Sequence, residues 1–133
     1  YRLAMTDAGA TPLSRWIKHC APTVEGGRTS AHTLLGDNPE LTALFCFNDL
    51  VAIGALQTCA DLGLAVPASV AIVGFDDIPL AALVTPALTT CRISRYELGT
   101  QAMELLLEWI GGCSEECKEI IMPTELVIRN SAP

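Results

Sequence analysis

Apolar and polar positions along this chain fall into two alternating kinds of block, short strand-length runs and longer stretches with a helical period. Residues 41–47 (LTALFCF) and 70–75 (VAIVGF) are apolar runs with the length of buried strands, and residues 88–93 (LTTCRI) predict another strand. Residues 50–62 predict a helix whose polar positions, Gly54, Gln57, Thr58 and Asp61, share one narrow stripe. Such a helix covers a sheet on one side and meets a second apolar surface on another. Gly63 ends it and Pro67 prevents its return. Ser94 and Glu97 have the spacing of a capping box and predict a helix start. That helix extends to about residue 110, with Glu97, Thr100 or Gln101, Glu104 and Glu108 as its polar stripe and Gly111-Gly112 as its stop.

The remaining segments are weaker versions of the same alternation. Residues 1–8 predict the tail of a helix stopped at Gly9, and residues 15–20 a short strand. Thr23 can cap a helix that runs to about residue 35 despite Gly26 and Gly27 in its first turns, with residues 36–39 as the stop. Residues 78–86 predict an irregular apolar loop, and residues 120–122 and 125–129 two short strands broken at Pro123. Strands alternating with helices define an α/β domain with a mainly parallel sheet. There is no internal repeat and no low-complexity tract.

Composition narrows the function classes. The 133 residues suffice for one domain. Half are hydrophobic and only 17% charged, which leaves apolar surface over for a partner. The net charge is −7, with eight basic residues scattered among fifteen acidic ones. A nucleic-acid or anionic-membrane surface needs clustered Lys and Arg, so this stretch is not expected to bind either directly. No run approaches the about 20 apolar residues that span a bilayer, and no signal-peptide pattern is visible. The first residue is Tyr1 rather than Met, so a targeting signal upstream is left open. Of six cysteines, Cys46, Cys59 and Cys91 lie in apolar segments, where a thiol acts as a small hydrophobe. Cys20 follows His19 with no second ligand pair at zinc-finger spacing. Cys113 and Cys117 flank Ser-Glu-Glu, where free thiols in a reducing cytosol are expected ahead of a disulfide or a metal.

Two polar pairs follow apolar strands directly: Asn48-Asp49 after LTALFCF and Asp76-Asp77 after VAIVGF. In open α/β sheets ligands bind in the crevice beyond the carboxyl ends of the strands. A carboxylate there accepts hydrogen bonds from two hydroxyls, and an amide both donates and accepts, as a polyol requires. Each pair also has a purely local reading: Asn48 or Asp49 as a helix cap, and Asp76-Asp77 as a turn. An acidic pair after a strand suits a magnesium-binding receiver domain too, but that chemistry needs a Lys at a neighbouring strand end, and none is present. There is no Gly-x-Ser-x-Gly elbow, Walker loop or dinucleotide-binding Gly-x-Gly-x-x-Gly. His19 and His32 come with no nucleophile at a recognisable spacing and are expected to be structural or exposed.

Four blocks together resemble the lactose-repressor (LacI/GalR) family of transcription regulators: LTALFCFNDLVAIGAL, GLAVPASVAIVGFDD, TPALTTCRISRYELGTQAMELL and MPTELVIRNSAP. They occur in the family's order and spacing over residues 41–133, and the first forty residues fit more weakly. The resemblance implies a type I periplasmic-binding-protein-like α/β fold, with residues 1–133 forming part of an effector-binding and dimerisation domain. It places the DNA-binding head, the hinge and most of the N-terminal lobe outside these residues, and has residues 95–112 return to that lobe. It implies a cytoplasmic homodimer without catalytic activity, cofactor or metal. The effector would be a sugar, sugar phosphate or purine held between two lobes, and operator DNA would be reached only through the head. Carried over residue by residue, Asp76 matches the carboxylate that grips the effector, Asn48 an amide that reaches it, and Ile93 and Arg95 crossover positions facing the pocket. Pro22 stands where many members place an aromatic platform, which removes the expectation of stacking on a sugar ring. Ile53, Leu56, Leu80 and Val84 match the dimer-forming surface, although such residues also suit an ordinary core. The alternatives are a periplasmic-type sugar-binding protein of the same fold, marked by an upstream signal peptide, and an α/β enzyme or receiver domain using Asp76-Asp77.

Overall fold

A computed structural model describes residues 1–112 and 118–133. Cys113 and Cys117 lie outside the described residues. The elements run α1 (Arg2–Asp7), a 3₁₀ turn (Ser14–Trp16), α2 (Val24–Asp37), β1 (Ala43–Phe45), α3 (Asp49–Asp61), β2 (Ala71–Asp76), a 3₁₀ turn (Pro79–Ala82), β3 (Thr89–Ile93), α4 (Arg95–Ile110) and β4 (Thr124–Val127). The four strands form one sheet in the order β1-β2-β3-β4, with β1, β2 and β3 parallel and β4 antiparallel to β3. The expected α/β class with a mainly parallel sheet is therefore what the chain adopts.

The core lies between this sheet and the pair α2 and α3. Leu44, Cys46 and Ile72 point from one sheet face into Val51, Ala52, Ala55, Leu56 and Cys59 of α3 and Ala31 and Leu35 of α2. Thr23 caps α2 by accepting from Gly26 N at 3.0 Å, and α2 runs two residues past the expected end, to Asp37. The glycines that looked unfavourable in α2 have a packing reason. A Cβ on Gly27 would overlap the Val51 carbonyl, and one on Gly54 would overlap the Val24 carbonyl. The two backbones touch where side chains would hold them apart. Thr58 seals the crossing by donating to Arg28 O at 2.8 Å. Gly54 and Thr58 thus face α2, and only Gln57 and Asp61 of the expected polar stripe face solvent.

Two expected strands do not form. Residues 15–20 open with the 3₁₀ turn Ser14–Trp16, pinned by Trp16 Nε1 and Arg15 Nη2, which both donate to Glu40 Oε1. Residues 17–20 are non-helical but have no ladder partner. Residues 120–122 remain outside the sheet, and the final strand is Thr124–Val127, earlier than expected. Beyond it the chain turns back on itself through a bridge between Arg129 and Ala132.

Candidate functional site

The parallel register brings three strand ends to one edge of the sheet. Asn48 follows β1, Asp76 is the last residue of β2, and Ile93 is the last residue of β3, with Arg95 opening α4. Asp76 sits opposite Arg92 in the β2–β3 ladder. The four expected effector-binding residues are therefore neighbours on one edge, although they span 48 positions of sequence.

Their surroundings separate residues that the sequence left equivalent. Asn48 is the cap of α3: its Oδ1 accepts from Val51 N at 2.9 Å, while Nδ2 has no protein partner among the described residues. The local reading of Asn48 is correct, and it leaves a donor over. Asp49 is completely buried, with Oδ1 accepting from Thr90 Oγ1 at 2.5 Å and Oδ2 from Ile78 N at 2.8 Å. Both oxygens are engaged inside the protein, so Asp49 ties α3 to β3 and to the turn after β2. Gly74 makes this possible, because a Cβ there would overlap Asp49 Oδ1.

The Asp76-Asp77 pair divides in the same way. Asp77 Oδ1 accepts from Arg129 Nη2 at 2.7 Å and Oδ2 from Arg92 Nε at 2.7 Å. Burial pushes its carboxyl up, but the hydrogen bonds from Arg129 and Arg92 and the charges of both guanidiniums outweigh this and hold it below the ordinary aspartate value. The Asp76 side chain has no hydrogen bond or ion pair among the described residues. Burial, then the nearby Asp49 carboxylate, raise its carboxyl above the ordinary value, against the opposing charge of Arg95. Asp76 and Asp77 both have positive φ, 111° and 52°, a region that non-glycine residues rarely occupy. Sequence reading missed Asp49, Thr90, Arg129 and Ser131 as the residues that build this edge. Their one sequence signal is an acid, a Thr pair and an Arg-x-Ser ending that no local element requires.

The dimer candidates also separate. Leu80 is 50% exposed and Leu83 beside it 76%, whereas Ile53 and Leu56 retain 8% and 7%. The chain's own packing covers almost all of Ile53 and Leu56, which leaves Leu80 the most exposed of the four expected dimer residues. Val84 is half-buried against the core. His19 and His32 are exposed. Burial, foremost, with Cys20, Cys59 and Asp49 adding, pushes the Cys46 thiol up to about 12, which keeps it protonated and inert at neutral pH. Among the described residues no three His, Cys, Asp or Glu side chains group to hold a metal ion, and no helix is long and apolar enough to cross a membrane.

A family model described as "Periplasmic binding protein-like domain" matches residues 1–132. The chain is 42% identical over 115 residues to the HTH-type transcriptional regulator MalR of Streptomyces coelicolor, covering 86% of this chain and 33% of that protein. The solved structure of the transcriptional regulator CelR–cellobiose complex superposes with a TM-score of 0.93 at 29% identity, over 99% of this chain and 40% of that one. A LacI family transcriptional regulator from Arthrobacter sp. FB24, in complex with lactose, superposes with a TM-score of 0.81 at 30% identity, over 98% of this chain and 48% of that one. The chain spans less than half the length of each. It belongs to the periplasmic binding protein-like domain family, in the form carried by LacI-type transcriptional regulators.

Proposed function

We propose that this chain is part of the effector-binding and dimerisation domain of a LacI-type transcription regulator. In this reading a sugar, sugar phosphate or purine sits on the sheet edge formed by Asn48, Asp76, Ile93 and Arg95. Asp76 accepts hydrogen bonds from its hydroxyl or ring N–H groups, and Asn48 Nδ2 donates. The observation that carries the reading is the unpaired Asp76 carboxylate, half-buried at the end of β2, while its neighbours Asp49 and Asp77 are both fully engaged. A partly exposed carboxylate with no protein partner keeps its acceptor oxygens available to a ligand. The cellobiose and lactose in the two related complexes support a polyol as the first class to test.

The regulator works without a catalytic step, in the cytoplasm, as a homodimer that meets operator DNA through a separate head. The effector acts by binding one lobe arrangement better than the other, which shifts the population between them. The exposed Leu80 and Leu83 beside Val84 are the surface for the second copy.

The test is titration of the isotopically labelled chain with cellobiose, lactose, ribose and adenine, followed by amide NMR. One of these probes is expected to move the signals of Asn48, Asp76 and Arg95 together. Asp76→Asn is expected to weaken that binding about tenfold or more, the loss of a charge-assisted hydrogen bond worth roughly 1.5–3 kcal/mol. Perturbations elsewhere, or unchanged binding by the variant, would remove Asp76 from the site.

A further inference from the structure

Two consecutive non-glycine residues with positive φ need something to hold them. At Asp76 and Asp77 the restraint comes from three side chains that do not belong to β2 or its turn. Arg129 and Arg92 each bind one oxygen of Asp77 at 2.7 Å, and Asp49 Oδ2 accepts from the next amide, Ile78 N. The Asp77–Arg129 pair is the better shielded of the two, with side chains 9% and 17% exposed. Arg92 is 47% exposed, and shares its guanidinium with Glu125 of β4.

The far end of this restraint is itself fixed. Arg129 Nη1 donates to Leu88 O at 2.8 Å, and its backbone N–H donates to Thr89 Oγ1 at 2.8 Å. Two residues on, Ser131 is completely buried, donates from Oγ to Ile72 O at 2.6 Å and accepts from Thr89 N at 2.8 Å. The C-terminal segment is thus stitched across β2 and β3, and from that anchorage Arg129 reaches back to the strand end that carries Asp76.

We infer that Asp77 and Arg129 are positioning residues for the effector site: their ion pair, backed by Arg92, locks the left-handed backbone at the end of β2 and so aims the Asp76 carboxylate at the edge. The inference rests on the site reading above for its functional meaning, but the restraint itself is a property of this chain and can be tested without a ligand. If the pair is broken, the turn relaxes toward ordinary backbone angles and the Asp76 side chain rotates away from the half-buried position beside Asp49.

Arg129→Gln separates positioning from simple electrostatics because the two act on Asp76 with opposite sign. Removing the Arg129 charge leaves Asp77, one position along, less neutralised, and an added negative charge beside it raises the Asp76 carboxyl further. Releasing Asp76 to solvent removes the desolvation that holds it up and returns it toward the ordinary aspartate range. The measurement is carboxyl-carbon NMR titration of Asp76 in the 133-residue chain. A downward movement in Arg129→Gln, with a smaller one in Arg92→Gln and partial recovery in Arg129→Lys, is the expected result. A value that stays raised or rises overturns the inference. Should Arg129→Gln fail to fold, Arg92→Gln, which removes one exposed contact to the same carboxylate, decides by the same sign. For whichever probe binds the parent chain, affinity is expected to fall at least tenfold in Arg129→Gln. If binding depends on Asp76 but not on Arg129, the positioning role fails and the site stands. If the titration moves as expected but Asp76→Asn leaves binding unchanged, the restraint stands and the effector reading fails.

Discussion

Asp76 and Asp77 are chemically the same side chain one position apart, yet the fold gives them opposite environments. Alternation along β2 would point them to opposite faces, and the positive φ at both adds a turn that delivers Asp77 into hydrogen bonds with two arginines and leaves the Asp76 side chain without one. The linkage to pH follows from the direction of each shift. Asp77 is held below the ordinary aspartate value, so the stability it contributes is fully present above about pH 4, the unfolded value, and is lost as pH falls through its own lower value. Asp76 is raised, so protonating it between its folded and unfolded values favours the folded state. Acid unfolding followed by circular dichroism should show Asp77→Asn flattening the loss of stability below pH 4, and Asp76→Asn raising stability near neutral pH. Gly74 belongs to the same residue-level account. Gly74→Ala would drive a methyl into Asp49 Oδ1 and crowd Leu88 Cδ2 at 3.0 Å. It is expected to cost about 1–3 kcal/mol in denaturant unfolding, the usual range for overpacking, and a neutral outcome would mean that Asp49 can move aside. The identities of Asp76 and Asn48 as edge residues were legible from their place after strand-length apolar runs. Asp49, Thr90, Arg129 and Ser131 were not, because their partners lie 29 to 59 positions away and nothing local marks the pairing.

Among the elements, the strongest local signals transferred best. Thr23 caps α2, Asn48 caps α3, and Ser94 accepts from Glu97 N at the start of α4. Each is a short-range interaction that the chain can make before it packs. What failed was context. Residues 15–20 have strand composition but no neighbour to pair with, and Pro123 separates residues 120–122 from the strand that does pair with β3. The polar stripe assigned to α3 was misread for a related reason. Gly54 and Thr58 are polar or small, which in isolation suggests solvent, but here smallness is what lets α2 approach. A Cβ at Gly54 would lie 2.6 Å from Arg28 N as well as overlapping the Val24 carbonyl, and both are backbone atoms that cannot rotate away. Gly54→Ala should therefore lower the melting temperature more than Gln57→Ala, an exposed change on the same helix with a better helix former at each site. If the two variants melted alike, the close helix crossing would not be a determinant of stability.

At the scale of the whole molecule, apolar surface is left over in two places. Over α4 no residue is buried, and Tyr96, Leu107, Trp109 and Ile110 are 85%, 60%, 67% and 73% exposed. Along β1, Thr42 O and Cys46 N bond to β2, so in a parallel ladder the amides of Ala43 and Phe45 point away from it. They face a cavity of about 1090 Å³ that runs from β1 to residues 16–20 and is lined by Leu34, Leu41 and Val51 among others. An open strand edge beside a solvent-open apolar groove is a template for another strand, and an exposed apolar surface of this kind marks a place for a partner. The excess hydrophobicity seen in the composition therefore has a location, which composition alone does not supply. The 133-residue chain is expected to self-associate at tens of micromolar, read by sedimentation velocity. The two surfaces are separable. Ala43→Pro removes an outward amide without touching the β1–β2 ladder, and Leu107→Glu with Ile110→Glu makes the α4 face polar. Loss of association in Ala43→Pro alone assigns it to strand pairing along β1, and loss in the glutamate pair alone assigns it to α4. A chain that stays monomeric throughout would mean that the cavity closes in solution, by residues 17–20 moving onto β1 and forming the strand pairing that their composition predicts.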